Sequence, residues 1–297
     1  MIRELLAARS RFSALDMPDP GPPRPVLVCG RNDPAGRVRE ALLGDGGEEV
    51  LVQAFALRRL RADDSGRLQA ASVVVYAGEV TQTLDSDTRS DLAVAGASGR
   101  PLVAVLEGLD DPAEALIEAA RTPGLPPSAV VGSRRGRFPE QPLLRAVAER
   151  AGRAAPALAA ALPALRKYAV DRAIARAARQ GGGTALVLRN PRIWEPALSA
   201  VEIEMVLEIA ACHGYELSPD RAIEVAGTLA AGLGMGKVAR DLAGAVPVAG
   251  RLVRGSVSYS GTRALGWAAA EYFARGAPAD VDHLRDLAAR RAGATNA

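Results

Sequence analysis

Aromatic residues are scarce in this chain, at 4% of its 297 positions. Few rings are available to stack on bases, and the net charge of +3 is spread over interleaved acids and bases. Nucleic acid is therefore not an expected partner. Only two cysteines occur, Cys29 and Cys212, and they form no C-x-x-C pair. They read as reduced packing thiols, not as a disulfide or a metal pair. The histidines, His213 and His283, have no second ligand at metal spacing, so a zinc site is not expected. No charge-free run reaches the roughly 18 residues of a transmembrane helix. No secretory h-region is present near the start. These absences lead to the expectation of a cytoplasmic protein, soluble or peripheral at the inner face of the cell membrane.

The length allows two domains. Residues 1–24 open with MIRELLAARSRFSALDM, where Ile2, Leu5, Leu6 and Phe12 fall near helical spacing beside Arg and Glu. A short amphipathic helix is expected, followed by the extended linker PDPGPPRP. Such a helix docks either on the protein's own body or on a lipid surface.

Residues 25–152 alternate strand and helix patterns. PVLVCG, EEVLVQAFAL, ASVVVYAG, RPLVAVLEG and SAVVGS read as strands. RVREALLG, DTRSDLAVAGASG, DDPAEALIEAART and QPLLRAVAERAG read as helices between and after them. Continuous apolar strands alternating with helices predict a parallel sheet covered on both faces, a three-layer α/β domain. Ligands of such folds sit at the carboxyl ends of the strands.

The character changes over 153–277, which reads as an all-α domain. Helices are expected over 156–180, 197–214, 219–246 and 256–275, with QGGG and PVAG as breakers. Ser218 before Pro219 is a helix start. Ser258, Thr262 and Gly266 form a ridge of small residues at four-residue spacing, and Gly232 and Gly236 make a second small pair. Such ridges let helices approach closely, within a soluble bundle, between subunits or within a bilayer. Residues 278–297 read as a last helix and tail.

The strand ends carry a resemblance. A phosphate loop reads G-x-x-x-x-G-K-[ST], with backbone N–H groups around the phosphates, Lys on the outer ones and a hydroxyl on Mg²⁺. Here Gly30 and Gly36 are one residue further apart, Arg37 replaces the Lys, and Val38 replaces the hydroxyl. Glu107-Gly108-Leu109-Asp110 stands where a base-reading N-K-x-D would, keeping only Asp110, which also reads as a helix cap. Ser133 stands at a later base-side position, and no D-x-x-G appears at the expected place. Asp63, Asp64 and Gly66 read either as a remnant of that motif or, the preferred reading, as a solvated turn. In order and register this half resembles the Era-like GTPase domains. The resemblance implies a P-loop GTPase-like fold in degenerate form. It also implies a vestigial nucleotide site of Gly30, Gly36, Arg37, Asp110 and Ser133, with GTP or GDP as the cofactor such a site would take. Without the Mg²⁺ ligand and the switch, no turnover is expected.

The helical half resembles the YcjF-like bacterial domain of unknown function. MVLEIAACHGYELSPDRAIEVAGTLAAGLG and ARDLAGAVPVAGRLVRGSVSYSGTRALGWAAAEYF carry that likeness. It implies membrane association through apolar hairpins. VLRNPRIWEPALS departs from it, since each Arg at a helix centre in hydrocarbon costs roughly 2.5–3.5 kcal/mol. The expectation is a non-catalytic interaction or scaffold protein, binding a protein partner, a membrane surface or a second copy of itself. Two alternatives stand beside it: an atypical nucleotide hydrolase using Arg37 and Asp110, and a helical hairpin inserted over 222–253.

Overall fold

Val26, Leu27, Val28 and Cys29 are all buried, which leaves the first strand no polar face. A strand of this kind needs neighbours on both edges and helices on both sides. The structure is a computed structural model that describes residues 23–56, 60–80, 82–109, 112–134, 136–187, 191–232 and 250–277. Its elements in chain order are β1 (Val26–Gly30), α1 (Asn32–Leu43), β2 (Val52–Ala56), α2 (Ser65–Ala70), β3 (Val73–Glu79), α3 (Ser86–Ala97), β4 (Leu102–Leu109), α4 (Pro112–Ala119), β5 (Val130–Arg134) and α5 (Glu140–Ala151). They continue as α6 (Ala155–Ala161), α7 (Pro163–Val187), α8 (Pro191–Cys212), α9 (Pro219–Gly232) and α10 (Gly250–Ala274). The chain divides into two compact units, one over Pro20–Ala169 and one holding the described residues from Val170 onward.

The first unit is a five-stranded parallel sheet in the order β2-β1-β3-β4-β5, as the alternating pattern predicts. This is a common doubly wound order, and its direction reverses between β1 and β3. The two faces can be told apart by single side chains. Arg37 of α1 bonds Glu107 of β4, and α1 packs against α5, so these helices share a face. Tyr76 bonds Thr88 of α3, and Gly132 faces Leu116 of α4, on the other.

Four local expectations are corrected. The helix after β1 begins at Asn32, not beyond Gly36, so the expected loop shrinks to Arg31 alone. Asn32, Asp33 and Pro34 form its first turn, where Pro needs no N–H partner and an acid suits the helix dipole. The second strand begins at Val52, because Glu49–Leu51 takes a 3-10 turn. Asp64 is not solvated: it is 4% exposed and accepts the Arg61 N–H at 3.0 Å. Finally, QGGG does not break α7, which runs through it to Val187. Gly181 and Gly182 are buried, so packing offsets a propensity loss of about 1 kcal/mol per glycine.

In the second unit, α8, α9 and α10 pack on one another. Ser218 caps α9 as expected, accepting the Arg221 N–H at 3.3 Å. Thr262 is fully buried, Ser258 is buried, and a Cβ on Gly266 would lie 2.7 Å from Ile174 and 2.9 Å from the Met205 sulfur. The small-residue ridge therefore lies inside the bundle. Between α7 and α8, Arg172 pairs with Glu208 at 3.0 Å, and Arg176 bridges Glu204 and Glu208. Burial raises the Glu208 carboxyl, and the two guanidiniums offset this only in part. Gly232 is the last residue of α9, whereas Gly236, Asp110, the N-terminal amphipathic segment and the 278–297 tail lie outside the described residues. Among the described residues, no helix is long and apolar enough to cross a membrane.

Candidate functional site

The carboxyl ends of β1, β3, β4 and β5 meet at one edge of the sheet. At β1 the backbone itself is specialised. Gly30 has φ +129°, and a Cβ there would sit 1.9 Å from the Ala77 carbonyl oxygen. That same oxygen accepts the Arg31 N–H at 3.1 Å. The chain then enters α1 at once. The Ala35 N–H goes to the Arg31 carbonyl, and Pro34 has no N–H. Few amides remain to form an anion cradle, and Asp33 in the first turn places a carboxylate there.

Two cations at this edge are paired with acids. Arg31 meets Asp85, just before α3, at 2.5 Å, and so spans the switch point between β1 and β3. Burial pushes the Asp85 carboxyl up, but bonds from Thr88 and Arg31 outweigh it and hold the carboxyl below its usual range. Arg37 donates from Nε at 3.1 Å and from Nη2 at 2.7 Å, both to Glu107 Oε2. The Glu107 side chain is 10% exposed, and its second oxygen is buried without a partner.

A bulge in β4 sets this geometry. Leu106 pairs with Gly132, but the next pairing is Leu109 with Arg134, so Glu107 and Gly108 together oppose Ser133. Gly108 takes φ +81° to absorb the extra residue. Bulges of this kind re-aim side chains at strand ends. Glu79 of β3 is the register partner of Glu107, which sets two carboxylates side by side. Strand alternation puts Ser133 on the Glu107 face, and its hydroxyl is also buried without a partner.

Of the residues expected here, Gly30, Arg37 and Ser133 do gather at this edge. Gly36 does not. It is an exposed residue inside α1, with open space where a Cβ would go. Gly36→Ala is therefore expected to stabilise the unit by about 0.5–1 kcal/mol, read from urea unfolding, because Ala is the better helix residue. A phosphate-loop glycine would show no such gain. Glu107 was the missed residue; the signal was an acid closing an otherwise apolar strand, as in LVAVLEG and VVVYAGE.

Chemically the edge presents carboxylates and a hydroxyl, with Arg31 and Arg37 already engaged by acids. Cys29 is buried in β1, and burial raises its thiol well above the ordinary range, so it is no nucleophile. Among the described residues there is no cluster of three or more metal-ligating side chains. No family model, no curated protein and no solved structure matches the chain.

Proposed function

We propose that this chain is a non-catalytic interaction protein. In this reading a GTPase-derived α/β domain serves as a scaffold and is joined to a YcjF-like helical domain that binds a protein partner or a membrane surface. One observation carries it: the guanidinium of Arg37, the only cation at the expected phosphate-reading position, is committed to Glu107. A phosphate would have to compete with a carboxylate that is 10% exposed and needs that cation. The one-residue connection from β1 to α1 supports the same reading, since it offers no loop of amides for phosphate.

A thermal-shift titration with GTP, GDP and ATP, with and without Mg²⁺, tests this. The expected result is no shift with any of the three. A site filled to about 100 times its Kd would add about 2.7 kcal/mol, or roughly 5–10 °C for a protein of this size. A guanine-specific rise of that kind, lost in Arg37→Ala, would overturn the proposal and make the chain a nucleotide-binding protein.

A further inference from the structure

Strand β5 ends the sheet: β4 pairs with one of its edges, and among the described residues no strand pairs with the other. Its outer N–H and C=O groups form a template for another strand. Natural edges are blunted by short length, by charged side chains (lysine above all), by proline or by a bulge. The five-residue run Val130–Arg134 contains no proline or lysine, its one charge, Arg134, stands at its end, and the extra residue of the local bulge belongs to β4. Beside this edge lies a groove of about 460 Å³, with Val131, Pro142 and Ala146 among its apolar lining. Gln141, Arg145 and Glu149 of α5 line it too, and all three are exposed.

We infer that this edge is a homodimer surface, at which a second copy of the chain adds its own β5 antiparallel across a two-fold axis. The charges of the groove argue for the chain itself as occupant. Arg145 and Glu149 stand one helical turn apart with opposite signs, and neither forms an ion pair with another described residue. Arg placed before Glu at this spacing is the less favourable order for pairing within one helix. An isologous interface brings residue i of one copy to residue j of the other, and the reverse. A two-fold axis level with the turn between Arg145 and Glu149 satisfies both charges twice over with no other sequence involved. Val131 and Ala146 then lie against their own counterparts, and the β5 edges close each other.

Size-exclusion chromatography with light scattering, run over a concentration series on the full chain, tests the inference. The wild type is expected to dimerise. Arg145→Glu and Glu149→Arg are each expected to weaken the dimer by roughly tenfold or more, because they set like charges against each other. The double variant Arg145→Glu/Glu149→Arg is expected to restore it. Both positions are exposed, so circular dichroism should show unchanged folds. A wild type that stays monomeric at millimolar concentration would overturn the inference, even if the edge then captured an unrelated peptide. So would a dimer that both single reversals leave intact.

Discussion

Gly30→Ala is expected to lower the stability of the α/β unit by about 4 kcal/mol or more, or to prevent its folding. The methyl group would enter the space of the Ala77 carbonyl, with contacts of 1.9 Å to the oxygen and 2.8 Å to the carbon. These are backbone atoms in the middle of a parallel sheet, paired in register with β1, so neither side can yield without breaking the ladder. The φ of +129° adds strain for any side chain. Urea unfolding followed by circular dichroism measures the loss, and the melting temperature should fall by roughly 10 °C. If Gly30 served a phosphate instead, the variant would fold normally and only ligand binding would change. The contrast with Gly36→Ala, where a gain is expected, makes the pair of variants a direct reading of what these two glycines do.

The second large effect is on pH dependence. Burial raises the Glu202 carboxyl to about 7, and the Thr262 hydroxyl, 3.2 Å away, offsets this only in part. Burial and this one hydrogen bond are the influences on the carboxyl; no charged group offsets its burial. The unfolded carboxyl titrates near 4.5, so the unfolded chain releases its proton first as pH rises. The contribution of this group to the stability of the helical unit is therefore greatest below that value. It falls between pH 4.5 and about 7 and then levels off. The loss from this one group is about 3 kcal/mol. Glu202→Gln removes the ionisation while keeping a hydrogen bond to Thr262. It is expected to flatten the slope in that window and to exceed the wild type in stability above pH 7. Urea midpoints measured from pH 4 to 9 decide the matter; an unchanged slope in the variant would show that Glu202 is not the group responsible.

How far the fold could be read ahead of the structure depended on the kind of signal. The strands were legible because VLVC, VVVYA and LVAVL are too apolar to stand anywhere but in a buried sheet. The Ser218-Pro219 helix start was legible because capping is local chemistry. The entry to α1 was not. Gly30 and Gly36 imitate the spacing of a phosphate loop, and Asn32-Asp33-Pro34 reads equally as a turn and as a first helical turn. Only the tight approach of Gly30 to Ala77, set by sheet register, decides between them. The site itself was the least legible part. Arg37 and Glu107 are 70 residues apart and meet only because the strand order sets β4 beside β3, on which α1 packs. Measured against a borrowed motif, Glu107 was a mismatch; in the folded chain it is the residue that claims Arg37.

The two thiols have a use beyond packing. Cys29 lies in the sheet and Cys212 in the helical bundle, so each compact unit carries one buried thiol. A thiol so enclosed reacts with an alkylating reagent only when its surroundings open. The chain thus holds a built-in reporter in each half. The two labelling rates, resolved by mass spectrometry of the peptides around Cys29 and Cys212, read the opening of each unit separately in the unaltered protein.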